Sequence, residues 1–294
     1  MDRDSLLYKI RRKLQTILFN IVPHDTLSKL YYRIYLKESL DLNNPKKLNE
    51  KLQWYKLYYC PNNPTVIKCS DKYQVREYIE DKGYSKYLTN LIGVWDNAND
   101  IDWDALPDKF VLKCTHGCAY NILCHNKKEF DKKAATSQLN RWLKEDFSKF
   151  NVELHYGKIK ERRIICEEYL GDVITDYKFF CFNGNPAFFY VSSDLIHDRQ
   201  AEIGFYQLDG QKMPLIRNDY KDFGELTIPS FLDEMIDVAK KLSSEFPFVR
   251  VDFFITENSF KFAELTFTPA AGMMPINPKK YDVEWGELFS LPKL

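Results

Sequence analysis

The spacing of apolar positions divides the chain into a helical beginning and a longer part in which strands and helices alternate. Before about residue 60, apolar residues recur at intervals of about three or four positions, which is the spacing of amphipathic helices. Three segments show this spacing, and the third has Pro45 at its expected first helical position: SLLYKIRRKLQTILFNIV, TLSKLYYRIYLKESL and PKKLNEKLQWYKLYY. We therefore predict an N-terminal helical region over residues 1–60.

Beyond residue 60 the pattern predicts a mixed fold. The run SDKYQVREYIEDKGY indicates a helix that is capped by Ser70 or Asp71 and stops at Gly83. Alternating or continuous apolar runs predict strands in LPDKFVLKCTHG, RRIICEEYLG, DYKFFCFNGNPAFFYVSS and FVRVDFFITENSFKFAELTFTPAAG. Helical spacing returns in NKKEFDKKAATSQLNRWLKEDF and SFLDEMIDVAKKLSSEF. This order predicts an α+β fold with mainly antiparallel sheets.

Composition narrows the classes of function. The 294 residues contain 42 basic and 42 acidic side chains, so no overall positive field points to a nucleic-acid partner. The chain has no run of about 18 apolar residues and no signal peptide with a cleavage site, which predicts a cytoplasmic protein. Its seven cysteines include no CxxC pair, which agrees with free thiols in a reducing compartment.

The first predicted helix is basic as well as amphipathic. Lys9, Arg11, Arg12 and Lys13 stand among leucines and isoleucines. A basic amphipathic helix binds anionic membrane surfaces, which would bring residues 5–22 to the inner face of the membrane. An ordinary amphipathic helix instead packs its apolar side on its own domain. The sequence leaves both interpretations open.

A pair of acids marks the hairpin predicted at residues 248–272. Because strand side chains alternate, Arg250 and Asp252 share one face, and a three-residue turn centred on Asn258 sets Asp252 opposite Glu264. Like charges opposite one another destabilise a sheet. A magnesium ion between them would reverse that effect, because Mg2+ takes carboxylate and phosphate oxygens. The alternative is an edge hairpin with both acids in solvent.

Three other segments carry candidate chemistry. The thiols and imidazoles of KCTHGCAYNILCH lack the paired spacing of zinc sites. The same segment can instead place Lys113 on a strand, before a loop around Gly117 whose backbone N–H groups cover phosphates. In ICEEYL two acids stand where a strand ends, either in solvent or beside an adenine ring. In DYKFF, Asp176 and Lys178 share a face, either as a surface pair or as contacts to ribose and phosphate.

Taken in order, these segments resemble a known superfamily. NEKLQWYKL, SDKYQVREYI, LPDKFVLKCTHG, EEYLG, DYKFFCFNG, FVRVDFF and ELTFTPAAG are similar to landmarks of ATP-grasp proteins, and specifically of the teichuronopeptide-biosynthesis (TupA-like) family. The resemblance runs from about residue 47 to the C-terminus. It implies an ATP-grasp fold over residues 61–294. The N-terminal part of this fold, at about 61–165, would carry a phosphate-covering loop, and the C-terminal part, at about 166–294, would carry a metal site. The helical region before it is an extension.

The resemblance also implies which residues form the site. Arg250 and Lys113 would act in catalysis through fixed positive charge. The implied nucleotide contacts are Lys72, Lys113, His116, Gly117, Cys118, Asn121, Glu167, Glu168, Tyr169, Leu170, Asp176 and Lys178. The implied metal ligands are Asp252, Glu264 and Thr266, the last at a position where relatives often have Asn.

The implied activity is that of an ATP-dependent carboxylate–amine ligase that uses ATP and two Mg2+ ions. A substrate carboxylate would attack the terminal phosphorus of ATP, and the acyl phosphate would then react with an amine to form an amide. The implied partners are a uronic-acid carboxylate of a capsule or teichuronopeptide-like glycan and an amino acid or amine. Two alternatives remain. One is a glycosyltransferase, because DWD at residues 102–104 matches the Asp-x-Asp motif with which such enzymes bind a metal ion. The other is an ATP-grasp protein that binds nucleotide or glycan without catalysis.

Overall fold

The computed structural model of the chain describes residues 6–172, 174–193, 201–217 and 219–293, and Ser5 of the first predicted helix lies outside these ranges. The α-helices, in chain order, are α1 Leu6–Ile21, α2 His24–Leu36, α3 Leu48–Trp54, α4 Pro64–Ser70, α5 Val75–Asp81, α6 Lys132–Lys144, α7 Ser148–Asn151, α8 Leu232–Ser243 and α9 Lys280–Leu288. None of the helices in the described ranges is long and apolar enough to cross a lipid bilayer.

The strands form two sheets, which confirms the predicted α+β class. The first sheet contains β1 Leu91–Trp95, β2 Phe110–Cys114, β3 Asn121–Cys124 and β4 Ile164–Glu168, in the order β1-β4-β2-β3. The second contains β5 Thr175–Phe182, β6 Asn185–Ser193, β7 Glu202–Gln207, β8 Lys221–Asp222, β9 Phe248–Ile255 and β10 Phe260–Thr266, in the order β10-β9-β5-β6-β7-β8. The described strand pairs are antiparallel except β7 with β8, which is parallel.

Each sheet has its own apolar core. Phe110 and Leu112 of β2 are fully buried, and they pack with Leu139 of α6 in one cluster. The core of the second sheet is larger and rich in phenylalanine, and it includes Phe179 of β5 and Met235 of α8. Because aromatic side chains bury the largest areas, they supply much of the stabilisation of this second core. The two cores hold the two sheets as separate layers with a space between them.

The beginning of α3 differs from the position that the sequence predicts. The carboxylate of Glu50 accepts hydrogen bonds from the backbone N–H groups of Lys46 (2.9 Å) and Lys47 (3.1 Å). These bonds satisfy donors that have no partner within the helix. The helix therefore begins at Leu48, and Pro45 lies before it. The prediction that Pro45 occupies the first helical position is wrong.

The last helix, α9, packs against α3. Asp282 accepts a hydrogen bond from the backbone N–H of Asn49 at 2.9 Å, and Lys51 donates to the carbonyl of Gly286 at 2.8 Å. A Cβ atom on Gly286 would lie 2.0 Å from the carbonyl oxygen of Lys46, so only glycine permits this approach. Helix α3 is thus attached to α9, beside the core of the second sheet.

The hairpin of β9 and β10 has the predicted pairing of acids, with a different turn. Residues 256–259 form a four-residue loop in place of the predicted three-residue turn around Asn258. A shift of register between Phe262 and Glu264 compensates for the extra residue, as a bulge does. Asp252 therefore pairs with Glu264, which confirms the predicted register of the two acids.

Candidate functional site

A cleft of about 1510 Å³ lies between the two sheets. Ligand pockets commonly have volumes of about 300 to 1,000 Å³, so this cleft has room for a nucleotide and a second substrate. Most of the predicted site residues line it: Lys72, Lys113, Cys118, Asn121, Glu167, Glu168, Tyr169, Leu170, Asp176, Lys178, Arg250 and Glu264. Four predicted residues do not line it: His116, Gly117, Asp252 and Thr266.

Asp252 is the fully buried centre of an ionic network on β5 and β9. Arg250 binds it with two parallel hydrogen bonds, from Nε to Oδ1 at 2.7 Å and from Nη2 to Oδ2 at 2.6 Å. Lys178 donates to the same Oδ2 at 3.1 Å and lies 3.3 Å from Asp176. Burial acts to lower the pKa of Lys178, but Asp176 and Asp252 outweigh it and raise the pKa. The cations at this centre therefore remain charged.

Glu264 faces the same centre from β10. Its Oε2 lies 3.6 Å from Lys72 Nζ, and its Oε1 lies 3.7 Å from Arg250 Nη2. Burial acts to raise the pKa of Glu264, but Lys72, Lys178 and Arg250 outweigh it and lower the pKa to about 2. The side chain is one-third exposed (33%) on the cleft. Glu264 is thus an ionised carboxylate that a bound cation can reach.

Thr266 lies between Arg250 and Glu264. Its Oγ1 accepts a hydrogen bond from Arg250 Nη2 at 3.1 Å and donates one to Glu264 Oε1 at 3.1 Å. The described residues contain no group of three or more His, Cys, Asp or Glu side chains placed to hold a metal ion. A Mg2+ ion at Asp252 and Glu264 would therefore complete its coordination with phosphate and water oxygens, as magnesium commonly does.

The charges at this centre fit a metal ion bound together with phosphate groups. Cations and carboxylates pair with one another here: Lys72, Lys178, Arg250, Asp176, Asp252 and Glu264. Phosphate oxygens would take the cations and magnesium would take the carboxylates, because each ligand offers the opposite sign. Asp176 Oδ1 is buried and lies 3.3 Å from Lys178 Nζ, so this carboxylate too is balanced by a cation.

Lys113 of β2 is held by an acid of β4, the neighbouring strand of the first sheet. Glu167 at the end of β4 accepts from Lys113 Nζ at 2.6 Å and from Thr89 Oγ1 at 2.7 Å, and it lies 3.2 Å from Arg76. Burial acts to raise the pKa of Glu167, but Lys113 outweighs it and lowers the pKa. This carboxylate therefore orients Lys113, a role that the sequence did not predict for it. Arg76 and Thr89 were also not predicted.

If the cleft binds Mg-ATP, as the resemblance implies, replacing Glu167 by Gln is expected to weaken that binding by about 10 to 100-fold, because charged hydrogen bonds are worth about 1.5 to 3 kcal/mol. The amide keeps the shape but loses the charge that holds Lys113. Isothermal titration calorimetry with Mg-ATP measures the change. The control is Glu161→Gln, which alters an exposed acid paired with Arg163. An unchanged dissociation constant for Glu167→Gln would show that Lys113 is positioned without this acid.

The predicted phosphate-covering loop follows β2 and is closely packed. Lys72 Nζ donates to the carbonyl of Gly117 at 2.8 Å, which ties the loop to the ionic centre. A Cβ atom on Gly117 would lie 2.8 Å from the rings of both Tyr120 and Phe147, so the position requires glycine. Cys118 follows it and faces the cleft.

His116 does not face the cleft, which corrects its predicted role as a nucleotide contact. The side chain is fully buried, and its Nε2 lies 3.1 Å from the carbonyl oxygen of Trp142. Burial lowers the pKa of His116 to about 4, and Arg162 acts in the same direction. The imidazole is therefore neutral near pH 7 and has no charge to offer a phosphate group.

Tyr169 and Leu170 line the cleft where the chain passes from β4 towards β5. The hydroxyl of Tyr169 lies 2.8 Å from Nδ1 of His125 and donates to Asp172. Tyr169 and Leu170 thus place an aromatic ring and an apolar side chain at the segment that joins the sheets. The adenine contact of these two residues stays a prediction.

The cleft also has walls that the sequence did not predict. They come from α1, from α6 and from the segment before α8: Tyr8, Lys9, Arg11, Arg12, Arg141, Trp142, Arg217, Asp219 and Tyr220. The basic character of α1 was visible in the sequence, although its position beside the cleft was not. No motif marks the residues of α6, because ordinary helical spacing accounts for them.

The fold and the site define the class of the chain, an α+β protein with a charged cleft between two sheets. Within this class, the family model described as TupA-like ATPgrasp matches residues 50–290. The chain therefore belongs to the TupA-like ATP-grasp family, which confirms the resemblance found in the sequence. No curated protein sequence matches the chain at a significant level.

Several solved ATP-grasp structures are similar to the chain at low identity. D-Alanine-D-alanine ligase from Helicobacter pylori has 14% identity and a TM-score of 0.46, over 85% of this chain and 68% of that chain. L-Amino acid ligase from Bacillus licheniformis has 12% identity and a TM-score of 0.46, over 87% and 57%. The ATP-grasp ligase PsnB has 13% identity and a TM-score of 0.41, over 70% and 55%. This chain thus spans little more than half the length of the last two ligases.

Proposed function

We propose that the chain is an ATP-dependent carboxylate–amine ligase of cell-surface polysaccharide biosynthesis. The observation that carries this proposal is the ionic centre formed by Arg250, Asp252 and Glu264, which opens on a cleft between the sheets. Membership of the TupA-like ATP-grasp family supports the use of ATP and a substrate of the capsule or teichuronopeptide type. The acceptor is a uronic-acid carboxylate, and the amine is an amino acid or a small amine.

The residues of the cleft have separate parts in the proposed reaction. Lys72, Lys113 and Lys178 bind the phosphate groups of ATP as fixed cations. Arg250 stabilises the charge that develops as a carboxylate oxygen attacks the terminal phosphorus and ADP leaves. The amine nitrogen then attacks the acyl carbon, loses a proton and displaces phosphate, so that an amide forms.

Asp252 and Glu264 are the proposed magnesium ligands, and Thr266 lies beside them. Two Mg2+ ions held there would neutralise phosphate charge. The adenine contact is assigned to Glu168, Tyr169 and Leu170 at the segment that joins the sheets. The loop around Gly117, with Cys118 and Asn121, covers the phosphates. Asp176 contacts ribose or phosphate beside Lys178.

The proposed location is the cytoplasm, at the inner face of the membrane, where polysaccharide precursors are held on lipid. Peripheral contact through residues 5–22 is part of this proposal, and the basic residues of α1 support it. Deletion of residues 1–22 would then reduce binding to anionic vesicles.

A glycosyltransferase is the main alternative, and DWD at residues 102–104 does not favour it. Asp102 Oδ1 accepts the backbone N–H groups of Asp104 (3.1 Å) and Ala105 (3.3 Å), so it stabilises its own turn. Trp103 packs with Phe110 in the core of the first sheet. Both acids of the motif are exposed on a surface turn that does not line the cleft.

Ligand-dependent stabilisation tests the proposal directly. Mg-ATP at about 100 times its dissociation constant is expected to stabilise the protein by about 2.7 kcal/mol, because it binds the native state alone. A thermal shift measured with Mg-ATP and with uridine-diphosphate sugars distinguishes the ligase from the glycosyltransferase. Phosphate release from ATP is then expected to require both glucuronate and an amine. Stabilisation by sugar nucleotides without Mg-ATP would contradict the proposal, and Mg-ATP binding without turnover would favour the non-catalytic alternative.

A further inference from the structure

Helix α1 turns its apolar side towards solvent. The apolar residues of this side are between 46% and 73% exposed: Leu6, Leu7, Ile10, Leu14, Ile17 and Ile21. Because they are spaced by three or four positions, they lie along one side of the helix. We call these six side chains the apolar stripe. Side chains of this size normally lose their contact with water in a folded protein, so a continuous stripe marks a surface that another body covers.

The opposite side of α1 packs on the protein, through polar residues and through Leu18 and Phe19, which lie against the apolar cluster of α2. Gln15 is buried, and its Nε2 donates to the carbonyl of Phe150 at 2.5 Å. The guanidinium of Arg12 lies 3.6 Å from the centre of the Phe150 ring, a cation–π contact. These contacts fix the rotation of α1 about its axis, so the outward direction of the apolar stripe is a property of the folded chain.

Cations border the apolar stripe on both sides. At about 100° per residue, Lys9 and Lys13 lie along one border and Arg11 lies along the other. The helix contains no acidic residue. Two copies of this surface would therefore repel one another, whereas an anionic lipid surface complements both the charge and the apolar side chains. Charge complementarity thus favours lipid over a second copy of the chain.

The same helix forms a wall of the cleft. Lys9 and Arg11 line it together with Arg141 of α6. We propose that α1 docks on an anionic lipid surface through the apolar stripe, and that the ligase takes a carboxylate acceptor anchored in that surface. The docking follows from α1 alone, and the choice of acceptor rests on the proposed function. Docking brings the cations of the cleft wall next to the lipid headgroups.

Vesicle binding tests the docking. The full chain is mixed with vesicles of phosphatidylcholine, with or without phosphatidylglycerol, and sedimented. The variant Ile10→Glu with Leu14→Glu is expected to bind the anionic vesicles about tenfold more weakly, because two charges enter the apolar stripe. The matched control is Val283→Glu with Leu288→Glu, which changes exposed apolar residues of α9 and is expected to bind like the unchanged chain. Failure of the unchanged chain to bind, or full binding by the first variant, would overturn the docking.

A second measurement locates the contact and checks for self-association. On anionic vesicles, hydrogen exchange is expected to slow in α1 and in α6, with no change in α9. Protection confined to α9 would contradict the proposed orientation. Sedimentation velocity without lipid decides whether the apolar stripe pairs two copies. A dimer that the α1 variant dissociates would overturn the lipid assignment.

The acceptor is tested with dodecyl glucuronide in anionic vesicles against free glucuronate in solution. Phosphate release with the dodecyl compound is expected to have a KM about tenfold lower, an advantage that the α1 variant loses while its rate with free glucuronate stays the same. Equal KM values in the unchanged chain would overturn the membrane-anchored acceptor. If neither compound supports phosphate release, the proposed function fails, whereas the vesicle experiment still decides the docking.

Discussion

Replacing Glu264 by Gln is expected to reduce ATP-dependent phosphate release by about a thousandfold, in the range found when one charge-stabilising group is removed from an active site. Glu264 is the partly exposed carboxylate of the ionic centre, and its lowered pKa of about 2 keeps it ionised at any working pH. The amide keeps the size of the side chain and still accepts a hydrogen bond from Thr266. The loss would therefore follow from the charge that a magnesium ion requires.

Phosphate release with glucuronate and an amine measures this loss, and the Mg-ATP thermal shift shows whether binding is lost as well. The control is Glu257→Gln, an exposed acid in the loop of the same hairpin, which is expected to keep its rate within about threefold. Circular dichroism of both variants verifies the fold. A Glu264→Gln variant that releases phosphate at the rate of the control would contradict the proposal that Glu264 binds magnesium.

The acids of the hairpin were predictable because strand geometry is local. Alternation of side chains determines that Asp252 and Glu264 lie on facing strands, and the bulge after Phe262 kept the register although the turn is longer than predicted. The sequence did not predict that Lys178 contacts Asp252. Lys178 reaches it from β5, 74 positions away, and such a contact depends on the order of strands in the sheet.

Two of the strands that the sequence did not reveal, β1 and β7, contain glycines. Gly93 in β1 and Gly204 in β7 weaken the strand pattern, because glycine supplies no side chain to pack. In both strands the aromatic residue two positions later covers the glycine. A Cβ atom would lie 2.2 Å from the ring of Trp95 at the first position and 2.6 Å from the hydroxyl of Tyr206 at the second. In the folded chain, the aromatic side chain on the same face of each strand therefore fills the space beside the glycine.

The orientation of α1 was beyond the sequence for a related reason. Periodicity shows that a helix has two unlike sides, and it does not show which side packs. The contact that decides the matter joins Gln15 to Phe150, a residue 135 positions away. Both interpretations of the helix assumed that its cations face solvent or lipid, whereas Lys9 and Arg11 also form a wall of the cleft.

Replacing Arg250 by Met is expected to lower the free energy of unfolding by about 3 to 5 kcal/mol, the usual cost of removing one partner from a buried ion pair. Asp252 is fully buried, and Arg250 supplies two of its hydrogen bonds, at 2.7 and 2.6 Å. Lys178 alone would remain to neutralise it. Arg250→Lys keeps the positive charge but cannot form the two parallel hydrogen bonds of the guanidinium. A smaller loss of unfolding free energy is therefore expected for this variant. Urea denaturation with an unchanged m-value measures both.

The chain contains its own matched control for this prediction. Arg217 binds Asp219 in the same two-bond geometry, at 3.0 and 2.6 Å, two positions along the chain as Arg250 is from Asp252. The side chain of Asp219 is 39% exposed, whereas that of Asp252 is fully buried. The two arginines are similarly buried, at 10% and 9% exposed, so the pairs differ in the access of water to the carboxylate. Because water can solvate Asp219 when its partner is lost, Arg217→Met is expected to cost no more than about 1 kcal/mol. Equal losses at the two positions would mean that burial of Asp252 does not determine the strength of the pair, and the electrostatic account of the centre would fail with it.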